Sequence, residues 1–139
     1  MPIALTDEMT TALDNALVDR SPCLVATASA EGVPDVSYRG SVMVFDEERL
    51  AFWERAKGET LSNLEENPGV CVFYRNAETR LGWRFYGVAE VLRDGALRAQ
   101  IMERVNQFEL AQDPGRTGYA ILIRVDRVRV RNDTIMLRD

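Results

Sequence analysis

Six apolar runs of strand length recur along this chain at short intervals, each bounded by turn residues, and this spacing constrains the fold more than any other feature. The runs are Cys23 to Ser29, Pro34 to Phe45, Leu50 to Glu54, Val70 to Arg75, Leu81 to Leu92 and Ala120 to Val130. A seventh, Thr134 to Leu137, could close the sheet. Ala30-Glu31-Gly32 and Asp46-Glu47-Glu48-Arg49 read as hairpin turns. Short strands joined by such turns predict a mainly β chain, an antiparallel barrel with a few helices. The helices are too few and too irregularly placed for an alternating α/β fold.

Three helices are expected. Thr6 caps the first, with Asp7 and Glu8 in its opening turn and Met9, Leu13, Ala16 and Leu17 at helical spacing. Thr60 to Glu66 forms a short second helix, stopped by Asn67-Pro68-Gly69. Asp94 caps the third, with Leu97, Ile101, Val105 and Phe108 on one face. Two positions within strands stand out. Gly87 predicts a bulge or a close approach of another chain segment. In the last long run the alternation changes phase at Asp126-Arg127, which predicts a bulge or a bend.

With 139 residues the chain suits one domain spanning 1–139, large enough to bury roughly two-thirds of its unfolded surface. A net charge of -5 argues against a general nucleic-acid surface. The absence of histidine excludes histidine-based triads and His-ligated metals, and neither cysteine spacing fits a metal site. Cys23 and Cys71 lie inside apolar runs and read as buried free thiols. No basic leader precedes an apolar segment and no run is long enough to span a membrane, so a cytoplasmic location is expected.

Against the acidic background, cations gather between Tyr38 and Thr60. Arg39 and Ser41 are two apart on an apolar-alternating run and are expected to share a face, with Gly40 between them. Val36, Val42, Val44 and Tyr38 are then left as packing residues. Arg55, Lys57 and Thr60 flank the start of the second helix, where free backbone N–H groups favour an anion. An arginine fork with a hydroxyl beside it suits phosphate oxygens. Trp53 could cover a flat aromatic ligand, although a tryptophan in an apolar run is more often core or interface. Phosphate and flat ring together suggest a nucleotide-like cofactor. Asp126, Arg127, Arg129 and Arg131 read as a solvated or interface face. No nucleophile is paired with a base, so any enzymatic chemistry falls to an organic cofactor and the catalytic residues are unknown.

These residues resemble the pyridoxamine 5′-phosphate oxidase-like family of FMN-binding split β-barrels. The resemblance rests on Leu-Val-Ala-Thr-Ala-Ser before a glycine turn, Arg39 on the next strand, the Phe52-Trp53 strand, Asn-Leu-Glu-Glu-Asn-Pro, and the run Trp83 to Glu90. It implies a homodimer with FMN at the interface, Arg39 as a phosphate ligand, and Trp53 and Glu54 on the strand that passes the flavin. Thr60 and Gly58 stand where the family's phosphate-binding lysine and serine are expected, and Val44 replaces a second lysine, with Arg55 and Lys57 nearby to supply charge. The implied cofactor-binding set is Arg39, Gly40, Ser41, Trp53, Glu54, Arg55, Lys57 and Thr60. Trp53, Trp83, Phe85 and Tyr86 are further expected to supply apolar surface to the dimer. An FMN-dependent oxidoreductase of undefined small-molecule substrate is the leading expectation. A non-catalytic carrier of flavin, deazaflavin or tetrapyrrole is the alternative.

Overall fold

A computed structural model describes residues 1–139. Helix α1 (Asp7–Asp14) opens with a capping box: Thr6 Oγ1 accepts the Met9 N–H at 3.2 Å, and the Met9 sulfur receives the Thr6 N–H. Strand β1 (Cys23–Ala28) pairs antiparallel with β2 (Pro34–Arg39). Next come β3 (Met43–Val44), β4 (Arg49–Glu54) and α2 (Glu59–Glu66), followed by β5 (Gly69–Arg75) and β6 (Gly82–Leu92). Helices α3 (Gly95–Arg104) and α4 (Gln107–Ala111) precede β7 (Tyr119–Val130) and β8 (Asp133–Leu137).

The strands form one antiparallel sheet in the order β2-β1-β5-β6-β7-β4-β3, with β8 on the flank of β7. This is the predicted antiparallel barrel of a mainly β chain. Its path starts at β2 and ends at β3, which are consecutive in sequence but not paired with each other. The barrel is therefore split along a seam between β2 and the β3–β4 pair.

Two cores flank β4. Leu50 and Phe52 point into the main core with Val25, Val72, Phe85, Ile121 and Ile123. Ala51 and Trp53 point the other way, into a smaller core with Ile101, Val105, Ala120 and Leu122 under α3. Burial on both faces explains why β4 reads as a continuous apolar run.

Four expectations are corrected. The single strand from Pro34 to Phe45 breaks at Gly40-Ser41-Val42, where the chain crosses from one sheet edge to the other. Val36 and Tyr38 do not pack inside: they are 59% and 68% exposed on the outer face of the sheet. Trp53, Trp83 and Phe85 are core residues, so they are not available to an interface. The third helix is two helices, divided at Val105-Asn106, where Asn106 Oδ1 accepts the Glu109 N–H and caps α4. That division turns Phe108 outward.

The two strand irregularities occur as predicted. Tyr86 pairs with Arg127 and Gly87 with Val125, so Asp126 is the extra residue of a bulge. Gly87 passes the β7 backbone so closely that a β-carbon there would lie 2.1 Å from the Arg124 carbonyl oxygen. No helix is long and apolar enough to cross a membrane.

Candidate functional site

The seam gathers most of the residues that the sequence singles out. Arg39 ends β2 and Glu54 ends β4, and their side chains meet across the gap. Arg39 Nε donates to Glu54 Oε1 at 2.8 Å and Nη2 to Oε2 at 3.2 Å, while Nη1 donates to the Tyr38 carbonyl at 2.8 Å. Three of the five guanidinium N–H groups are thereby used, and two have no partner in the chain. Glu54 is fully buried, and its Oε2 also accepts the Lys57 N–H at 3.0 Å.

That last bond holds Lys57 in a left-handed backbone conformation (φ 54°), uncommon for a residue with a β-carbon. The turn delivers the chain to Gly58, which caps α2 without a side-chain hydrogen bond. The first-turn N–H groups of α2 thus lack a side-chain acceptor. Arg55 is exposed beside this end, and Lys57 Nζ lies 4.2 Å from the centroid of the Tyr119 ring.

Other predicted site residues serve the seam itself. Ser41 Oγ accepts the Trp53 N–H at 2.9 Å and donates to the Trp53 carbonyl at 3.3 Å, extending the β3–β4 edge by a side-chain rung. Thr60 is buried, its hydroxyl 3.3 Å from that of Ser37, which ties α2 to β2. Gly40 lies against the Leu17 and Glu109 side chains, where a β-carbon would come within 3.0 and 3.2 Å. Trp53 is 2% exposed. Its indole N–H donates to Asp113 Oδ2 at 2.9 Å and Arg98 stacks over its ring, so it presents no wall to a ligand on this chain. The structure therefore joins Arg39, Glu54 and the Lys57 backbone just before the start of α2, with Arg55 exposed next to Glu54 in the chain, Ser41 and Thr60 buried nearby, and Trp53 buried on the opposite face of β4.

Sequence reading overlooked the pairing of Arg39 with Glu54. An acid directly before the Arg55–Lys57 cations was the available signal. It also overlooked Asp113, which lies 60 residues from Trp53. Burial acts to raise the Asp113 carboxyl, but hydrogen bonds from the Trp53 indole and from Gly118 and Thr117 outweigh it and hold the group below its ordinary value.

The main surface cavities lie elsewhere. One of 490 Å³ is a polar bowl lined by Asp46, Glu47, Glu48, Arg49, Arg124 and Arg138, in which Asp46 pairs with Arg49 and Glu48 with Arg138, while Arg124 pairs with Asp126 outside it. Another, of 430 Å³, lies between the end of α1 and α4, beside Val18 and Phe108. Neither is lined by Arg39, Glu54, Arg55 or Lys57.

Comparison with known proteins agrees with this architecture. The chain is 32% identical over 95 residues to the uncharacterized protein MJ0282 of Methanocaldococcus jannaschii, a match covering 67% of this chain and 60% of that protein's length. The solved structure of HupZ from Group A Streptococcus is 27% identical and superposes with a TM-score of 0.72 over 97% of this chain and 98% of its own. An FMN-binding protein of Syntrophomonas wolfei shares the fold at 13% identity, with a TM-score of 0.71 over 95% of this chain and 87% of that one. The family model described as pyridoxamine 5′-phosphate oxidase matches residues 7–132, from α1 through the seam to the end of β7. On that match, and on a split barrel whose seam brings Arg39 to the start of α2, the chain belongs to the pyridoxamine 5′-phosphate oxidase family.

Proposed function

We propose that this chain is a flavoprotein that binds FMN at the seam and acts as an oxidoreductase on a small molecule. One observation carries the reading: in a protein of net charge -5, Arg39 is joined through Glu54 to the turn that carries Arg55 and Lys57 into the uncapped start of α2.

The residues fit a phosphomonoester. Arg55 is exposed, the Lys57 ammonium rests on Tyr119 with no acidic partner, α2 offers N–H groups without a side-chain acceptor, and Arg39 keeps two N–H groups for a ligand oxygen. Bound there, FMN would supply reversible hydride transfer. The protein's part would be to hold the phosphate, orient the ring and keep water from it. No histidine and no paired nucleophile compete for the chemical role.

A second copy of the chain would wall in a flavin bound at the seam. The outer face of β2, β1, β5 and β6 carries Val36, Tyr38, Leu24, Ala26, Cys71, Phe73 and Tyr86 in neighbouring register, an apolar surface suited to two-fold pairing.

The experiment is a fluorescence titration with FMN and with riboflavin, together with identification of any chromophore carried through purification. FMN should bind roughly a hundredfold more tightly, because each charge-assisted hydrogen bond to phosphate contributes about 1.5–3 kcal/mol. Equal affinities would refute the phosphate site. Tight binding without turnover by a reductant would make the protein a flavin carrier.

A further inference from the structure

Glu54 is the only acidic side chain bonded to the cations of the seam, and it is fully buried there. Its two oxygens take the Nε and Nη2 edge of Arg39, the edge with which an arginine grips a carboxylate or a phosphate side-on. Its Oε2 also takes the Lys57 N–H, one of the backbone donors that an incoming anion would use. The carboxylate thus occupies an anion seat and cancels the charge of Arg39. A phosphate brought onto the same guanidinium would lie beside a buried negative charge, and like charges at such range repel strongly where water is excluded.

We propose that Glu54 determines ligand specificity at the seam: it reserves the two spare N–H groups of Arg39 for an uncharged oxygen, a carbonyl or a hydroxyl, and leaves the phosphate to Lys57, Arg55 and the start of α2. The proposal rests on the flavin reading and divides its parts between two sets of donors. Arg39 is then a positioning donor for the body of the ligand, and the outer cations choose its charged tail.

The test compares FMN and riboflavin affinities for the parent, Glu54→Gln, Glu54→Gln combined with Arg39→Gln, and Arg55→Gln combined with Lys57→Gln. Glutamine keeps the shape of the buried side chain and removes its charge. Glu54→Gln should raise the ratio of FMN to riboflavin affinity roughly tenfold, since the freed arginine would now attract phosphate. Removing Arg39 as well should abolish the gain, which a purely structural role of Glu54 would not produce. The Arg55/Lys57 variant, altered only on the surface, should lower the parent ratio roughly tenfold. An unchanged or lower ratio in Glu54→Gln overturns the proposal, because the carboxylate would then be helping Arg39 to bind phosphate. Should Glu54→Gln fail to fold, an undiminished ratio in the Arg55/Lys57 variant overturns it equally.

Failure of the flavin reading itself is seen separately, as a parent that binds neither flavin. Inorganic phosphate then serves as the probe. Glu54→Gln should show a larger phosphate-dependent rise in Tm than the parent or the double variant, and no such excess would overturn the assignment.

Discussion

Trp53 shows how a single residue can change role once its partners are known. The sequence places it beside Arg55 and Lys57, where it resembles the wall of a ligand site. Its indole is instead clamped between Asp113, Gly118 and Arg98. A β-carbon on Gly118 would lie 2.5 Å from the indole nitrogen, and Arg98 Nη2 donates to the Gly118 carbonyl at 2.8 Å. Nothing within several residues of Trp53 signals this, since the clamp is made by a loop far along the chain. The cations were legible because they fall in one short segment. The Arg39–Glu54 pair was not, because it joins two strands that share no ladder. Asp113→Asn should cost about 1–2 kcal/mol of stability at pH 7, since the amide cannot accept all the hydrogen bonds that converge on the carboxylate. The Asp113 carboxyl is held low in the folded state, so its contribution is complete above its unfolded value of about 3.9 and is lost as pH falls through the folded value. Urea unfolding at pH 7 and at pH 3 should therefore show the difference between parent and variant shrinking in acid. A constant difference would mean that the carboxylate charge is not what matters.

Among the elements, legibility followed periodicity. The bulge at Asp126 could be read because a strand with one buried face must change phase when a residue is inserted. The break between β2 and β3 could not, because apolar residues alternate straight through it: Val36 lies outside on one edge, while Val42 and Val44 lie in the core on the other. The division of α3 from α4 was hidden likewise, since Phe108 continues the apolar spacing although it is exposed. Gly87 tests the reading of β6 directly. Gly87→Ala would drive a methyl group into the Arg124 carbonyl, where backbone rather than a flexible side chain must yield. We expect a loss of about 2–3 kcal/mol by urea melting, at the upper end of overpacking costs, with the far-UV spectrum retained. A neutral substitution would show that β7 can retreat from β6 at this point.

For the whole molecule, the open question is what covers the outer sheet face. Cys71 reports on it. The thiol sits half-buried among Ala26 and Tyr86 on that face, and burial raises it from its ordinary value against the pull of Arg84, Arg129 and Arg127. Cys23 is sealed in the core and pushed up to about 12 by burial, so it is a built-in control that should react only on unfolding. If two copies pair through this face, alkylation of Cys71 should slow as protein concentration rises, in step with dimer formed in sedimentation equilibrium. A rate independent of concentration, in a protein shown to dimerise, would move the interface elsewhere. The antiparallel barrel itself was legible from strand count and turn spacing, but the exposed apolar residues were not: Trp53, Trp83 and Phe85, three of the four aromatics expected at the surface, are core, while Val36 and Tyr38, expected to pack inside, are exposed. The seam has a consequence for how such a barrel can accommodate change. Across it the Arg39–Glu54 pair joins β2 to β4, while the Ser41 rung fastens the crossing segment to β4 and the Ser37–Thr60 contact ties β2 to α2, and none of these belongs to a backbone ladder. These bonds can be exchanged one at a time while the sheet stays zipped. Gly40, Ser41 and Val42 bridge the edges covalently and limit the Arg39–Met43 separation to about 14 Å even when fully extended. The molecule is thus sprung like a clasp: its girth can adjust by side-chain rearrangement alone, within a stop set by three residues of chain.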